Sequence, residues 1–106
     1  MIVVVGRVLS DGAKRDGLIR VAQAVAAASR EEEGCISYRF YEDTERPNHF
    51  VFVEEWADQG ALERHFATAH IAEFMRAIPA TITSPPDVKF HTIASSVDLT
   101  QVSAPR

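Results

Sequence analysis

The chain has 106 residues and a formal net charge of −4, with 46% hydrophobic and 25% charged residues. This length allows one compact domain of ordinary globular composition. The acidic balance argues against nucleic acid or an anionic membrane surface as a partner. No apolar run approaches the roughly 18 residues of a membrane span, and the short apolar N-terminus indicates a strand, not a signal peptide. A single cysteine excludes an internal disulfide and fits a reducing compartment, so we expect a cytoplasmic protein.

Hydrophobic spacing and cap residues predict four strands and two helical regions. Apolar residues recur at helical spacing after a turn in which Ser10 or Asp11 can cap the helix, and Gly34 is suited to stop it. Asp58 and Thr68 are further N-cap residues, which predicts a second helical region broken near Thr68. In chain order we predict a strand at 2–9, a helix at about 14–33, strands at 35–42 and 50–56, a broken helical region from 58 to 79, and a strand at 88–94.

Two charged or polar segments are not expected to contribute residues to a functional site. The acidic run at 31–33 sits badly at a helix C-terminus, which prefers cations, and is interpreted as a solvated last turn without function. The segment 96–106 is either disordered or an arm that reaches elsewhere, so residues 1–95 form the predicted domain.

The order β-α-β-β-α-β predicts an α+β, ferredoxin-like protomer with a four-stranded antiparallel sheet. Both helices then cover one face, and the other face should be polar if it meets water. Residues 49–56 read HFVFVEEW, and residues 2–9 read IVVVGRVL, so both strands begin apolar on both faces. Such a patch is larger than monomers usually expose, which predicts a homodimer packed sheet against sheet, with a heterologous partner as the alternative.

The residues with possible chemistry are histidines and aromatics near the third strand. No phosphate loop, dinucleotide glycine motif or zinc-type cysteine pair is present. His65 and His70 are five residues apart, which is not the i, i+4 spacing of one helix face, and no third ligand is evident, so we predict no metal site. Each histidine is either a structural residue or a general base or proton donor near neutral pH. Cys35 is more typical of a small buried residue than of a nucleophile.

Glu54 shares a strand face with large apolar residues, and Trp56 follows two residues later. A carboxylate in that position needs a partner or a raised pKa. Arg7 or Arg39 on a neighbouring strand is the predicted partner. Trp56 either closes the end of the core or lines a pocket, and Tyr38 is either core or presents its hydroxyl to that pocket.

The segment from Glu32 to Phe74 resembles the antibiotic biosynthesis monooxygenase family of small dimeric α/β-barrel proteins. The resemblance rests on Glu-Gly-Cys entering a strand with Tyr38, an Asp-to-Pro hairpin, and the strand Phe-Val-Phe-Val-Glu-Glu-Trp. It continues with Ala-Leu at a helix start, His65, and an Ala-His pair that ends at His70. The flanking strands and the first helix match the family in pattern only.

The resemblance implies a ferredoxin-like protomer, a dimeric α/β barrel, and a pocket between each sheet and its own helices. It also implies a cofactor-independent monooxygenase, without metal or flavin, that oxidises a small quinol-like, phenolic or polyketide-type aromatic. In that scheme the protein deprotonates the substrate and the anion reduces O₂ directly. The implied catalytic residues are His65, His70 and Trp56. The implied substrate-binding residues are Tyr38, Phe52, Glu54, Phe66 and Phe74.

The sequence departs from the family at three positions and leaves other functions open. Some cofactor-free members carry an Asn where this chain has Phe52. Haem-degrading members carry a His where we align Met75 and an Asn near Arg7, so haem binding is not expected. The alternatives are a non-catalytic small-molecule-binding or stress-response dimer, and an isomerase of a small ketone. The isomerase would need a cation such as Arg7 or Arg39 in its pocket.

Overall fold

A computed structural model describes residues 1–102 and contains one four-stranded antiparallel sheet with the strand order β2-β3-β1-β4. This is the predicted α+β, ferredoxin-like architecture. The elements are β1 (Ile2–Leu9), α1 (Arg15–Arg30), β2 (Cys35–Glu42), β3 (His49–Trp56), α2 (Gln59–Phe66), α3 (Ala69–Ala77), a 3₁₀ turn (Ile78–Ala80), β4 (Asp87–Thr92) and α4 (Leu99–Val102). Among the helices of the described chain, none combines the length and hydrophobicity that crossing a bilayer requires.

The second helical region begins at its predicted cap residues, but α1 does not: its N-cap is Lys14, which makes no side-chain cap bond, so neither Ser10 nor Asp11 caps this helix as predicted. The Asp11 carboxylate accepts hydrogen bonds from the backbone N–H groups two and three residues later, both at 3.0 Å, in the turn before α1. Asp58 and Thr68 each accept one from the N–H three residues later, at 2.8 and 3.4 Å. These side chains satisfy donors that a helix start leaves free. The second helical region is therefore broken into α2 and α3, as predicted.

The connection from α1 to β2 is tighter than the sequence suggested. Helix α1 ends at Arg30, three residues before the predicted end, and the chain then turns sharply through 31–34. Gly34 has a φ of +88°, in the left-handed region that favours glycine. A Cβ at Gly34 would lie 2.5 Å from the Cβ of Ala61, so this turn packs directly against α2.

The C-terminal part differs from the prediction in length. Strand β4 ends at Thr92, two residues before the predicted end. The tail includes the short helix α4, and the apolar side chains of Val97, Leu99 and Val102 in this tail are exposed. The rest of the predicted tail, residues 103–106, lies outside the described residues.

The two faces of the sheet differ in what covers them. On the helix side, alternate residues of β1 and β3 are buried, including Trp56 at the end of β3. The other face is apolar only at its centre, where Val5 pairs with Val53. Arg7, Arg39 and Glu55 lie around that centre, so the predicted apolar patch on the second face is confined to the middle of the sheet. We name its centre the valine patch, which consists of Val3, Val5, Val51 and Val53.

Candidate active site

A cavity of about 360 Å³ lies between the helix side of the sheet and the pair α2 and α3. Three polar side chains contribute to a wall that is otherwise apolar or aromatic: Tyr38 from β2, Glu54 from β3 and His65 from α2. The strand alternation that buries every second residue of β3 also points Glu54 toward this cavity. Few polar groups in an apolar enclosure are typical of small-molecule sites.

A hydrogen bond to Glu32 fixes the ring of His65. The side chain is 1% exposed, and its Nδ1 lies 2.7 Å from Oε2 of Glu32. A carboxylate only accepts hydrogen bonds, so Nδ1 carries the proton and Nε2 keeps its lone pair. Burial lowers the pKa of His65, and the Glu32 contact opposes that shift only in part. A neutral imidazole near pH 7 with a free Nε2 can act as a base.

Glu32 binds a second histidine with the same oxygen. Nε2 of His70 donates to Glu32 Oε2 at 2.6 Å, and the side chains of Glu32 and His70 are 13% and 26% exposed. We name Glu32, His65 and His70 the Glu32 cluster. The prediction that the acidic turn is solvated is therefore wrong for Glu32. Each residue of the Glu32 cluster offers one possible ligand atom, and these three atoms lie within 4.8 Å of one another, close enough to hold a metal ion.

Glu54 is buried, and none of its hydrogen-bond partners within residues 1–102 is a cation. Trp56 Nε1–H donates to Glu54 Oε1 at 3.0 Å. Burial raises the pKa of Glu54 to about 7, although hydrogen bonds with Trp56 and Tyr38 act in the opposite direction. Burial and the nearby Glu54 likewise raise the pKa of the Tyr38 phenol. The predicted pairing of Glu54 with Arg7 or Arg39 is wrong, because both arginines are exposed and occupy strand positions that face the other side of the sheet.

Comparison with known proteins agrees with the resemblance seen in the sequence. The sequence profile of the family described as "Antibiotic biosynthesis monooxygenase" matches residues 1–77. The chain belongs to this family. The Synechocystis protein sll1783 is 38% identical over 98 residues, which cover 92% of this chain and 67% of the relative. The Bacillus subtilis protein YcnE, whose name calls it a putative monooxygenase, is 35% identical over 75 residues, covering 71% of this chain and 79% of the relative.

Solved structures share the fold. A Deinococcus radiodurans protein that carries the family name superposes with a TM-score of 0.88 at 22% identity, covering 93% of this chain and 98% of the other. Rv0793 from Mycobacterium tuberculosis superposes with a TM-score of 0.84 at 23% identity, covering 92% and 98%. At these identities the likeness establishes the ferredoxin-like architecture. The sequence prediction of both the family and the fold is confirmed.

The cavity of this family member gathers most, but not all, of the predicted site residues. The predicted residues that line it are Tyr38, Phe52, Glu54, His65, Phe66 and Phe74. Trp56 is fully buried behind the wall, where its ring centroid lies 4.5 Å from that of His65. His70 lies in a separate groove between α1 and α3. Both residues can therefore act on the cavity only through a neighbour: Trp56 through Glu54, and His70 through Glu32.

Two side chains bear on the alternative chemistries. Burial raises the pKa of the Cys35 thiol to about 11, so the thiol stays protonated at neutral pH and is a poor nucleophile. Met75 lines the cavity, and it stands where we aligned the histidine of the haem-degrading members of the family. Among residues 1–102, the cavity wall contains no lysine or arginine. The cation that a phosphate-binding isomerase would need is thus not among the described lining residues.

The sequence analysis missed Glu32, the hydrogen-bond partner of His65. Glu32 is 33 residues from His65 and 38 from His70 in the chain. The available signal was Gly34: a glycine in the left-handed region, two residues after Glu32, allows the tight turn that follows α1. That turn holds the carboxylate against α2 and α3 instead of leaving it in solvent.

Proposed function

We propose that the protein is a cofactor-independent monooxygenase that oxidises a small phenolic, quinol-like or polyketide-type aromatic with O₂. The observation that carries this proposal is His65, a buried imidazole with its Nδ1 bonded to Glu32, in the wall of an apolar cavity of about 360 Å³. That volume lies within the range of small-molecule pockets, roughly 300–1,000 Å³. Family membership supports the same class of reaction.

The first chemical step is removal of the substrate hydroxyl proton by His65 Nε2. The hydrogen bond from Nδ1–H to Glu32 orients the ring and stabilises the imidazolium that forms, as a carboxylate does for a catalytic histidine in other enzymes. The aromatic walls, among them Phe52 and Phe74, contact the substrate ring and exclude water. The product of this step is an electron-rich phenolate held in a dry enclosure.

The second step is oxidation of that anion by O₂. The phenolate transfers electrons to O₂, a ring carbon forms a bond to one oxygen atom, and the His65 imidazolium returns its proton to the terminal oxygen as a hydroperoxide. Loss of the hydrogen on that ring carbon then breaks the O–O bond. One oxygen atom remains as a carbonyl, the other leaves as water, and the ring becomes a quinone.

Glu54 and Tyr38 provide hydrogen-bond donors for the developing negative charge. At and below a pH of about 7 a large share of Glu54 is the neutral acid, since its pKa is raised to that value. A neutral buried carboxyl group can donate a hydrogen bond to an oxyanion, which a carboxylate cannot do. This role replaces the asparagine that some relatives carry at the position of Phe52.

We further propose that two copies pair through the valine patch, and that the protein works in the cytoplasm. Val3 and Val5 on β1, with Val51 and Val53 on β3, give each copy an apolar centre ringed by charged side chains. An apolar core within a polar rim is the usual anatomy of a protein interface. Such pairing leaves the cavity on the opposite face open to substrate. Sedimentation of a stable single chain at micromolar concentration would contradict it.

The test is turnover of a panel of simple phenols, hydroquinones and anthrones, measured as O₂ uptake and as product mass with ¹⁸O₂. We expect one ¹⁸O atom in the product, no turnover without O₂, and no loss of activity with a chelator. His65→Gln should lower kcat by about 10²–10⁴-fold, the usual contribution of a positioned general base. His91→Gln is the matched control, since His91 is exposed on β4 and lines no part of the cavity. Anaerobic turnover, or full activity in His65→Gln, would refute the proposal.

The rival function is a small-molecule-binding protein without catalysis. That function predicts histidines bonded to backbone groups and a filled pocket. Instead, His65 and His70 both bond to a carboxylate, and the side chains around them leave a cavity of about 360 Å³. If the panel binds but no oxygenated product forms with any compound, binding without catalysis becomes the better account.

A further inference from the structure

The Glu32 cluster contains a set of possible metal ligands, and the proposed oxygenation needs no metal. It offers two imidazole nitrogens, His65 Nδ1 and His70 Nε2, and one carboxylate oxygen of Glu32, all within 4.8 Å of one another. Two histidines and a carboxylate are typical ligands of zinc and of similar first-row transition metals. Magnesium and calcium, by contrast, prefer sets built from oxygen alone.

We propose that Glu32, His65 and His70 form an inhibitory site for a divalent transition-metal ion such as Zn²⁺, and that its occupation removes the basic lone pair of His65 from the cavity. The second half of this inference rests on the proposed function, in which His65 is the base. The first half, metal binding, stands on the arrangement of the three side chains alone.

The cluster can rearrange around an ion if Glu32 and His70 move while His65 stays in place. Ligand atoms around a tetrahedral Zn²⁺ lie about 3.3 Å apart, given bonds of about 2.0–2.1 Å. The two hydrogen bonds, 2.7 and 2.6 Å, must therefore lengthen by about 0.6–0.7 Å. Glu32 is on the turn between α1 and β2, and His70 is in the first turn of α3, whereas His65 is locked within the core. Movements of Glu32 and His70 must provide the space and also bring the two imidazole nitrogens, which lie within 4.8 Å of each other, to about 3.3 Å.

The ion would enter from the side of His70, away from the cavity. His70 is 26% exposed and borders a separate surface groove between α1 and α3, while His65 is 1% exposed. Water from that groove can complete the coordination, which leaves the cavity volume unchanged. The bound ion therefore does not compete with substrate for space, so kcat should fall while KM stays constant.

The inhibition follows from the tautomer of one imidazole. Without the ion, His65 carries its proton on Nδ1, which donates to Glu32. An ion bound at Nδ1 uses the lone pair of that nitrogen, so the proton of the neutral ring must reside on Nε2. His65 then presents an N–H donor to the cavity and cannot accept the substrate proton. The ion is thus an inhibitor and not a cofactor, in agreement with a reaction that needs no metal.

Metal binding is tested by calorimetric titration of the purified full-length protein with ZnCl₂ and by the visible spectrum with Co²⁺. We expect one ion per chain, and at least 10–100-fold weaker binding in Glu32→Gln and in His70→Gln, because each removes a ligand. Glu31→Gln is the matched control: Glu31 is the exposed neighbour of Glu32 and should bind as the wild type does. MgCl₂ should give no saturable heat. Equal Zn²⁺ affinity in wild type, Glu32→Gln and His70→Gln would overturn the proposal.

The switch itself is tested without any enzyme assay, by long-range ¹H–¹⁵N correlation of the imidazole nitrogens. We expect His65 to be protonated on Nδ1 in the free protein and on Nε2 after one equivalent of Zn²⁺, with reversal on addition of a chelator. An unchanged tautomer in the zinc-bound protein would overturn the inhibitory half and leave the metal site. Failure of the oxygenase assay would not alter either readout, so the two proposals fail separately.

Discussion

Two carboxylates shielded from water, the partly buried Glu32 behind His65 and the buried Glu54 in the cavity wall, have opposite kinds of neighbours. Glu32 lies on a turn and accepts hydrogen bonds from two imidazoles, whereas Glu54 lies on a strand and, within residues 1–102, has its hydrogen bonds with Trp56 and Tyr38. The imidazoles can become cations and share their charge with Glu32, but the partners of Glu54 cannot. One carboxylate is thereby suited to stabilise a charged base, and the other to remain a neutral hydrogen-bond donor near pH 7.

The largest expected effect comes from removing the charge of Glu32. In Glu32→Gln the amide can bond to His65 with either its oxygen or its NH₂ group, so the tautomer of the imidazole is no longer fixed. We expect kcat to fall by about 10²–10⁴-fold with the fold retained, by analogy with loss of the carboxylate in a catalytic triad. Steady-state kinetics and circular dichroism check this. A Glu31→Gln control should keep full activity, and an unimpaired Glu32→Gln enzyme would show that His65 does not depend on Glu32.

The second effect is a pH dependence of stability caused by Glu54. Its folded-state pKa of about 7 exceeds the ordinary 4.5, so between these values the folded protein binds more protons than the unfolded chain. The free energy of unfolding should therefore be highest below pH 4.5 with respect to this group and fall as the pH rises to 7, by on the order of 3 kcal/mol. Urea unfolding at pH 5 and pH 8 measures the difference.

Glu54→Gln should remove this fall, because glutamine fills the same space and does not ionise. Glu55→Gln is the matched control, as the neighbouring side chain points to the other face and bonds to Ser37. Equal pH dependence in wild type and Glu54→Gln would mean that Glu54 is ionised in the folded protein, and the contrast with Glu32 would then disappear.

The third effect concerns the turn that places Glu32. Gly34→Ala introduces a side chain at a φ of +88° and brings its Cβ to 2.5 Å from Ala61, so either the turn or α2 must move. Left-handed backbone alone costs a non-glycine residue about 1–2 kcal/mol, and we expect a total loss of about 2 kcal/mol or more in unfolding free energy. Gly12→Ala, with nothing within 4 Å of the new Cβ, should change stability by less than about 0.5 kcal/mol. Equal stabilities of the two variants would show that the turn is not strained.

The elements of the fold were predictable because their signals act over a few residues. The caps at Asp58 and Thr68 bond to N–H groups three residues away, so the broken helix is visible in the sequence. The partner of Glu54 was also available, since Trp56 is two residues later on the same strand face. Choosing an arginine instead reflected an expectation of charge pairing, which burial of the carboxylate in neutral form makes unnecessary.

The Glu32 cluster was not predictable in the same way. Its contacts join residues 33 and 38 positions apart, and they exist only because Gly34 folds the end of α1 back onto α2 and α3. A single sequence records the acidic run but not the three-dimensional neighbour that removes one glutamate from water. The resemblance to a family supplied the histidines as candidates, and the packing of three helices supplied the carboxylate that connects them.

The smallest expected effect uses Glu42, whose side chain is 26% exposed, as the reference for Glu32 and Glu54. Glu42 forms a salt bridge with Arg15 and also accepts a hydrogen bond from the backbone N–H of Asn48, and these contacts lower the pKa of Glu42 to about 2. Its stabilising contribution is present above pH 4.5 and is lost as the pH falls from 4.5 toward 2. Arg15→Gln should therefore lower stability slightly at pH 7 and not at pH 2, as measured by thermal unfolding. A loss in Arg15→Gln as large as that caused by Gly34→Ala would mean that this ion pair contributes as much to stability as the tight turn at Gly34.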